Sequence, residues 1–596
     1  MRERKFHILE DNKKNKQYNN IIFFDCEAYL EDVGDKTYHH FRMAWACYVR
    51  YDKGRKKEDW FFTKNKDELC NWILSKTASK RTLYILTHNI WYDLRVSGLI
   101  NRLIEDKWQL KSFVCQSMQF ILQLKKGNKA ITCLNFAQYF PMKLQSIGKA
   151  IGLEKLEEQW QNEDDEACSI YCKRDVEILV KAWDLWRLFI TEHDLGNQAF
   201  TLAGQAFNAF RHRFMTKTIK IHANKEIDKL ELEAYYGGRT EAFYIGEVKE
   251  TPIYYLDVNS LYPYVMKVKK YPVNLKFYFP KMTIKSLKRF LDMGFCAIAR
   301  VIVNTNRNDI PKRFEGKLIF PVGRFETVLC TESLINALEN NEIEEVKEVA
   351  IYDADYIFAD YVDYFYALKL KYEKEGNKAM RLMTKLFLNS LYGKFGQRVD
   401  VIIREEDIDF NVINREVIID ADTGERCVKF SLFGKEFYVK RKADLGYNAF
   451  VGIAAHVTDY GRNYISYLRR LAGVENVYYM DTDSLFVNKK GYEKLKSFIG
   501  EELGKLKVEK VINNLIINGL KDYIADSEVK RKGIRKDAIQ LADSLFEQVQ
   551  FPKFWTDVSN GIDKPYATIK IQKELKRDYN KGIVTDSGKI TPYVFY

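Results

Sequence analysis

One short stretch constrains the fold of this 596-residue chain more than any other. It runs from Val477 to Val487 and reads Val-Tyr-Tyr-Met-Asp-Thr-Asp-Ser-Leu-Phe-Val. Apolar, β-prone residues flank the Asp-Thr-Asp centre, which predicts a β-hairpin with Asp481 and Asp483 at its tip. Two carboxylates so close together repel each other unless a divalent cation such as Mg²⁺ binds them. The alternative is an ordinary Asp-rich turn, and this stretch alone leaves both interpretations open.

The composition indicates several domains and a polyanionic partner. A chain of this length is too long for one core. Its net charge is +13 despite 82 acidic residues, an excess that favours binding to nucleic acid. No apolar run reaches the ~18 residues of a membrane span, the N-terminus lacks the apolar core of a signal peptide, and the scattered cysteines form no Cys-x-x-Cys pair. We therefore expect a cytoplasmic protein with no membrane partner and no zinc site.

The N-terminal region contains three pairs of polar residues in a characteristic order. Each acid, taken alone, is typical of a solvated surface charge. An apolar strand places the first pair on one face, a strand end is followed by the second pair, and a segment with helical periodicity carries the third on one face. The pairs are Asp25 with Glu27, Asn89 with Asp93, and Tyr171 with Asp175.

The central region adds three motifs. Tyr235-Tyr-Gly-Gly-Arg239 has paired glycines that let a ligand approach the backbone, although a simple turn has the same composition. In Pro252–Met266 a predicted strand delivers Asp257 at its end, before Ser-Leu-Tyr-Pro. Ala379–Phe395 is predicted to be a helix that ends near Gly393. One face of this helix carries polar and aromatic residues, namely Arg381, Lys385, Asn389 and Tyr392.

In this order the motifs resemble those of family B DNA polymerases that proofread, and the short length resembles the protein-primed branch of that family. The resemblance covers essentially the whole chain. It implies an α/β multidomain fold of the α+β type, with an RNase H-like exonuclease domain and a right-hand polymerase of palm, fingers and thumb that carries two insertions.

The resemblance implies two catalytic centres, each with two Mg²⁺ ions or, alternatively, Mn²⁺. In the exonuclease, Asp25, Glu27, Asp93 and Asp175 bind the metals, and Tyr171 orients the attacking water. Lys155 is a further candidate for exonuclease chemistry, although a lone lysine is more often a surface charge. In the polymerase, the metal ligands are Asp257, the carbonyl of Val258 and Asp483, while Asp481 lies nearby and binds less directly.

The resemblance also implies substrate contacts. The incoming nucleotide contacts the Ser260 and Leu261 amides, Tyr262, which excludes a ribose 2′-hydroxyl, and Lys371, Arg381, Lys385 and Asn389. The DNA contacts are Asn89, Tyr92, Tyr235, Gly237, Gly238, Arg239, Tyr392, Lys521 and Tyr523 of a Lys-x-Tyr motif, and the basic cluster Lys530, Arg531 and Lys532. Lys564-Pro-Tyr566 is the alternative Lys-x-Tyr motif, and Asn135–Pro141 lacks the Ser/Thr-Leu motif that contacts the primer end in this branch.

The expected domains follow the motifs along the chain. They are an exonuclease domain at 1–190, the first part of the palm at 191–268, a terminal-protein-type insertion at 269–367, the fingers at 368–397, a second insertion for strand displacement and processivity at 398–446, the second part of the palm at 447–535, and a thumb at 536–596. The stretch Val428–Lys440 in the second insertion predicts a hairpin centred on Phe433–Phe437.

We therefore predict a monomeric, strand-displacing DNA-directed DNA polymerase with a 3′–5′ proofreading exonuclease. Its partners are template-primer DNA, dNTPs and a terminal protein primer, in the replication of a small linear genome or mobile element in its host's cytoplasm. Three alternatives remain open: a replicase that starts without a primer, an exonuclease with a vestigial polymerase half, and a non-catalytic DNA-binding replication factor.

Overall fold

The protein alternates helices with mixed β-sheets. The computed structural model describes residues 4–52, 54–116, 118–157, 164–410, 414–419, 424 and 426–596. Parts of the predicted second insertion, residues 411–413, 420–423 and 425, lie outside the described residues. The α-helices are α1 Lys66–Ser75, α2 Ile90–Val96, α3 Leu99–Glu105, α4 Leu144–Ile151, α5 Asp165–Glu192, α6 Leu202–Ala209, α7 Lys225–Ala234, α8 Leu261–Val268, α9 Ile284–Asp292, α10 Thr331–Glu339, α11 Ala359–Lys374, α12 Lys378–Ser390, α13 Val451–Ala472, α14 Lys489–Leu495 and α15 Phe554–Asn560.

A large mixed sheet organises the N-terminal part of the chain. Its strands, in spatial order, are β29 Ile539–Gln540, β30 Leu545–Gln550, β31 Tyr566–Glu574, β3 Lys36–Asp52, β2 Asn20–Val33, β5 Thr82–Thr87, β8 Lys129–Asn135, β7 Gln119–Lys126 and β6 Gln109–Gln116, while β4 Arg55–Thr63 pairs with β3 outside this path. Strand β2 is almost continuously buried over its first half because helix α5 covers one face and α2 the other. Residues 545–574, predicted as part of a thumb, extend this sheet through the pairing of β31 with β3.

A five-stranded sheet contains the predicted hairpin. Its order is β10 Thr240–Ala242, β23 Val477–Asp481, β24 Ser484–Val487, β12 Ile253–Val258 and β25 Leu506–Ile512. The hairpin prediction is confirmed, because β23 and β24 are antiparallel and Asp481 pairs with Ser484 across the tip. The buried helix α13 packs against helices α7, α8 and α10.

A seven-stranded sheet forms most of the predicted first insertion and joins both ends of the described chain. Its order is β1 His7–Ile8, β9 Lys220–Ile221, β13 Tyr271–Phe279, β18 Ile343–Asp355, β14 Cys296–Thr305, β17 Val322–Cys330 and β34 Val594–Phe595. Strand β34 runs parallel to β17, with Val322 opposite Val594. A side chain at Gly323 would collide with the carbonyl oxygen of Phe595, so the glycine permits this close approach.

The remaining strands form small sheets. One contains β11 Gly246–Glu247, β26 Leu515–Gly519, β27 Asp522–Ala525 and β28 Glu528–Lys530; a second contains β19 Arg398–Asp407, β22 Lys435–Leu445, β21 Arg426–Leu432 and β20 Asn414–Ile419; two hairpins are β15 Lys312–Phe314 with β16 Lys317–Ile319 and β32 Ile583–Val584 with β33 Ile590–Thr591. The hairpin predicted in the second insertion is confirmed: β21 and β22 are joined at Phe433 and Gly434, both with positive φ.

The predicted fingers, 368–397, contain the end of helix α11 and the whole of helix α12, which pack against each other. Helix α12 ends at Ser390, earlier than the sequence predicts, and the chain continues as a 3₁₀ turn from Tyr392 to Lys394. None of the helices that the structure describes combines the length and apolarity required to cross a bilayer.

Candidate active sites

The N-terminal acidic site comprises Asp25, Glu27, Asp93 and Asp175. Strand β2 supplies the first two residues, helix α2 the third and the long helix α5 the fourth. Because β2 and β5 are parallel neighbours, α2, which follows β5, begins beside the carboxyl half of β2. The backbone N–H of Cys26 donates a hydrogen bond of 3.3 Å to Asp93 Oδ1, which fixes α2 against β2.

One lysine lies within this site. Lys155 Nζ forms an ion pair with Asp175 and lies 4.1 Å from the centroid of the Tyr171 ring. Asp175 is 5% exposed, so this ion pair lies in a region that water scarcely reaches. The structure therefore brings Lys155 together with the predicted metal ligands and with Tyr171.

Burial and mutual repulsion hold protons on the N-terminal acidic site. Burial, and then Asp93, Asp175 and Glu27, raise the pKa of Asp25 well above its ordinary value. Burial and Asp175 raise the pKa of Glu27 to about 8 against the opposing effect of Lys155, and burial raises the pKa of Asp93 to about 7. Without a cation, these carboxyl groups are costly to ionise together.

The site opens into a cavity of about 610 Å³. Asn89, which is exposed, and Tyr92 are among the residues that line it. Tyr92 is half-buried, because its ring packs edge-to-face against His39 and Tyr566 and its hydroxyl lies 3.2 Å from His39 Nδ1.

The hairpin acidic site comprises Asp257, Asp481 and Asp483. Asp257 lies opposite Ser484 in the β12–β24 ladder, and the Val258 N–H donates to the Asp483 carbonyl at 2.8 Å. Thr482 has a left-handed φ of 63° at the tip, and its N–H donates to the Arg239 carbonyl at 2.7 Å. The backbone therefore places Asp257 and Asp483 side by side.

The three acids of the hairpin site are not equivalent. Burial and Asp483 raise the pKa of Asp257 to about 7, and burial also raises the pKa of Asp483. Asp481 instead accepts a hydrogen bond of 2.9 Å from the Thr240 hydroxyl and lies 3.3 Å from Lys521 Nζ. Lys581 Nζ donates to the Thr240 carbonyl at 2.8 Å, so Asp481 belongs to a network of fixed partners.

Helix α12 presents a basic, open face towards the hairpin site. Lys385 and Asn389 are exposed, and the Lys385 ammonium opposes the rise in the pKa values of Asp257 and Asp483. Arg381 lies on the same face, where its Nη2 pairs with Glu373 at 2.9 Å.

The prediction for Lys371 is wrong in its geometry. Lys371 lies 4.0 Å from Glu375 and acts electrostatically on His193, which places it on the opposite side of α11 from the acids. Lys369 instead faces the basic group, because burial and the charges of Arg381, Lys385 and Lys507 lower its pKa. Sequence reasoning missed Lys369 because both lysines fit a basic fingers helix.

The residues that follow Asp257 form a tight turn into α8. Ser260 has a left-handed φ of 58°, and its carbonyl accepts from the Tyr264 N–H at 2.9 Å. Leu261 is buried, whereas Tyr262 is half-buried with its ring centroid 5.0 Å from that of Tyr392.

The glycines near this turn differ in the space around them. A side chain on Gly238 would lie 2.8 Å from Thr482 and 3.0 Å from the Tyr262 hydroxyl, so the close approach there requires glycine. Gly237 has open space around it. Tyr235 packs against Gly396, and its carbonyl accepts from Arg313 at 2.6 Å.

Arg239 does not reach a DNA phosphate. Its side chain is fully buried and forms ion pairs with Glu241 at 2.6 Å and Asp309 at 3.0 Å. These ion pairs connect the five-stranded sheet to the segment that contains Asp309. Because carboxylates already neutralise the buried guanidinium, the prediction of a direct DNA contact is corrected.

The Lys-x-Tyr motif divides into an exposed and a buried residue. Lys521 is exposed, whereas Tyr523 is 5% exposed and packs against Tyr479 and Phe486. The predicted DNA contact of the Tyr523 ring is therefore corrected to a packing role. Lys530 and Lys532 are exposed, and Arg531 stacks over Phe546 at 4.7 Å.

Both acidic sites fit hard divalent cations. Their donor groups are carboxylate oxygens whose raised pKa values report repulsion that a cation removes. Cys172 lies beside Asp25 and Glu27, but its thiol donates to the Asp25 carbonyl at 3.4 Å, and burial raises its pKa well above the ordinary value. The donor chemistry therefore suits Mg²⁺ or Mn²⁺ better than a thiophilic metal.

Comparison with known sequences gives a consistent result. A family model described as "DNA polymerase type B, organellar and viral" matches residues 125–432, more than half of the chain. A probable DNA polymerase of Neurospora intermedia is 27% identical over 403 residues, which cover 64% of this chain and 39% of that protein. The DNA-directed DNA polymerase of Enterobacteria phage PRD1 is 25% identical over 395 residues, 64% of each chain. The chain thus spans about two fifths of the Neurospora relative's length.

Comparison with solved structures establishes the fold. Phi29 DNA polymerase complexed with primer-template DNA and incoming nucleotide substrates matches with a TM-score of 0.64 and 17% identity, over 94% of this chain and 100% of that chain. The complex with primer-template DNA alone gives a TM-score of 0.63 and 18% identity over 85% of this chain. The predicted α/β multidomain fold is therefore confirmed.

Proposed function

The chain belongs to the organellar and viral type B DNA polymerases, and on that premise we propose that it is a DNA-directed DNA polymerase with a 3′–5′ proofreading exonuclease. The observation that carries the proposal is the presence of two separate acidic sites, each on its own sheet. One lies in a cavity with an internal lysine, and the other faces an open basic helix.

In the polymerase reaction, Asp257, Asp483 and the Val258 carbonyl hold Mg²⁺. When bound, the metal supplies activation of the primer 3′-hydroxyl and neutralisation of the triphosphate. Lys385, Asn389, Arg381 and Lys369 bind and orient the incoming dNTP from the fingers, while the Ser260 and Leu261 amides contact its phosphates. The residues thus fix the two reactants in line.

Tyr262 determines sugar selectivity in this proposal. Its ring is confined by Tyr392 and by Gly461, where an added side chain would lie 3.1 Å from it. Because the ring has little room to move, a ribose 2′-hydroxyl above it meets a steric clash, and dNTPs are preferred over NTPs.

In the exonuclease reaction, Asp25, Glu27, Asp93 and Asp175 hold the metal. Tyr171 orients the attacking water, and Lys155 pairs with Asp175 and holds its carboxylate in place. Asn89 and Tyr92 bind the frayed 3′ end at the mouth of the cavity, where the half-exposed Tyr92 ring offers an edge to a base.

The proposed DNA path runs from the exonuclease cavity past the hairpin site. Its contacts are Tyr235, Gly237, Gly238 and Tyr392 on the template side, and Lys521, Lys530, Arg531 and Lys532 on the primer side. Among these residues, Gly237 supports the path most directly, because the open space around it lets a DNA backbone phosphate approach.

The decisive experiment removes the two activities one at a time. Asp483→Ala should abolish dNTP incorporation on a primed template and leave degradation of a single strand intact. Asp25→Ala with Glu27→Ala should do the reverse. Synthesis that survives in Asp483→Ala contradicts the polymerase assignment, and equal loss of both activities in either variant contradicts two separate centres.

We further propose that synthesis starts on a terminal protein and proceeds with strand displacement, in a monomer that acts in its host's cytoplasm. The similarity to the phage PRD1 and phi29 polymerases and the two insertions, 269–367 and 398–446, support this assignment. Incubation of an unprimed linear template with labelled dNTP, with and without a candidate terminal protein, should attach the first nucleotide to that protein. A label on free DNA without the protein instead identifies a primer-independent replicase.

A further inference from the structure

A second large cavity lies behind the five-stranded sheet, away from both acidic sites. Its volume is about 820 Å³, within the range of small-ligand sites. Its walls come from the segment after β10, the loop between β14 and β15, the end of α13 and residues 589–592. We call it the rear cavity. It meets β23 at Val477, at the end opposite Asp481, hence about 13 Å along the strand from the predicted catalytic tip.

The lining of the rear cavity has an excess of positive charge. Its acidic residues already have partners: Asp309 pairs with Arg239 and Arg470, Glu250 accepts hydrogen bonds from Tyr478 and Asn488, and Glu475 lies 3.8 Å from Lys494. The basic side chains that line it are Lys249, Arg469, Arg470, Lys490 and Lys589, together with Arg307, which pairs with Glu342. The lysines among them are exposed, so the mouth attracts anions.

Arg469 is a buried cation with few partners. It is 5% exposed, and its guanidinium lies 4.0 Å from the centroid of the Phe243 ring. Nη1 donates to Asn308 Oδ1 at 2.9 Å, while Nε has no hydrogen-bond partner among the described residues. The carboxylate oxygen Asp309 Oδ1 is 4.0 Å away and already accepts from Arg239. A guanidinium so buried is stabilised by an anion, which the protein supplies only at a distance.

The rear cavity also has aromatic walls. Tyr244 and Tyr478 are half-buried and meet edge-to-face with centroids 5.9 Å apart, so both rings present surface to the cavity. Rings beside an arginine-rich wall suit a ligand that combines a planar base with a phosphate. Bare phosphate would leave this aromatic surface unused.

We propose that the rear cavity binds a nucleotide unit, with its phosphate at Arg469 and Arg470 and its base against Tyr244 and Tyr478. The unit comes either from a DNA strand or from a free nucleotide, which share this chemistry. The proposal does not depend on the polymerase or exonuclease chemistry, because a chain without either activity would still present the same cavity.

Lysine footprinting tests this proposal on the full-length protein. Acetylation of Lys249, Lys490 and Lys589 is measured by mass spectrometry with no ligand, with dAMP and with primer-template DNA. Binding should lower the acetylation rate of these lysines about tenfold at a ligand concentration ten times Kd. Lys285, exposed on α9 of the first insertion, is the control and should react unchanged.

Variants then show whether the cavity itself is responsible. Arg470→Gln should abolish the protection, whereas Arg324→Gln, at an exposed position in the first insertion, should retain it. Arg469→Gln should act like Arg470→Gln if it folds, and Arg470→Gln carries the test if it does not. Protection by DNA alone identifies a strand as the source, and protection by dAMP identifies a free nucleotide. Protection by neither, or protection unchanged in Arg470→Gln, overturns the proposal.

Discussion

Both acidic sites hold carboxylates that repel one another, but the cations near them are arranged differently. In the N-terminal site a lysine lies among the acids, because Lys155 pairs with Asp175 inside the cavity. In the hairpin site Lys521 pairs with Asp481 at the tip, whereas the charge of Lys385, on the separate and open helix α12, acts on Asp257 and Asp483. The internal ion pair offsets part of the carboxylate charge of the N-terminal site before substrate arrives, whereas the basic face of α12 stays open to a ligand.

The different positions of the cations suit the two sites to different substrates. An enclosed site with fixed charges suits one strand end that is threaded into it. A site that faces cations on an open helix suits a triphosphate, which those cations would bind on one side and which Mg²⁺ would join to the acids on the other.

Substitution of Lys155, the lysine inside the N-terminal site, should have the largest effect on activity. Lys155→Met should lower exonuclease activity about 10²-fold, because the ion pair with Asp175 is lost and the pKa values of Asp25 and Glu27 rise further. Degradation of a labelled single strand and dNTP incorporation are measured in parallel. Lys143→Met, in the same cavity, is the matched control. Equal loss of both activities would show that Lys155 supports the fold rather than this site.

The selectivity of the hairpin site is tested at Tyr262. Tyr262→Val should reduce discrimination against ribonucleotides by about 10- to 100-fold, because removal of the ring opens space below the sugar. The ratio of kcat/KM for dNTP and NTP is the measurement. Tyr264→Val makes the same change two residues later, where the ring packs against Tyr464, and should leave the ratio unchanged. Unaltered sugar selectivity in Tyr262→Val contradicts the steric role.

Two neighbouring lysines test the role of the fingers helix. Lys369→Ala should raise the KM for dNTP about tenfold, since it removes one cation from the triphosphate's surroundings. Lys371→Ala, on the other face of α11, should leave KM within twofold. The opposite result would restore the role that the sequence pattern assigned to Lys371.

The smallest expected effect is a change in melting temperature with pH and with Mg²⁺. Asp25, Glu27 and Asp93 have pKa values raised above those of the unfolded chain, so the folded protein holds protons that the unfolded chain releases. That stabilisation is complete below about pH 4 and is lost as the pH rises through 7 and 8. Without metal, the melting temperature should fall over this range.

Mg²⁺ competes with those protons, so it should raise the melting temperature by about 3 °C more at pH 8 than at pH 5. Scanning fluorimetry with EDTA or Mg²⁺ gives the values. Asp25→Asn with Glu27→Gln should flatten the pH dependence. A melting temperature that rises with pH in wild-type protein without metal would contradict the pKa directions.

The sequence predicted the acidic sites because each of their residues belongs to a short motif with a local spacing. The hairpin, for example, follows from alternation within 477–487, and the paired acids of β2 follow from the two-residue period of a strand. The same local argument identified the α12 face that carries Lys385 and Asn389.

The errors involved relations that no local spacing contains. Lys369 and Lys371 lie on opposite faces of α11, and which face meets the acids depends on how the helix packs. Arg239 is buried because Asp309, which lies far along the chain, pairs with it. Tyr523 is buried because β26 and β27 fold its ring onto Tyr479. These outcomes depend on tertiary packing.

The pairing of β34 with β17 has a consequence for how the chain folds. Val322 finds its partner Val594 only after the hairpin sheet and the β30–β31 extension of the N-terminal sheet have been synthesised. Pairings between residues so distant in sequence form slowly. Until then, β17 presents an unpaired strand edge, which is a template for pairing with another chain. During overexpression, aggregation is therefore expected to begin at β17, and slower synthesis at lower temperature should favour the monomer.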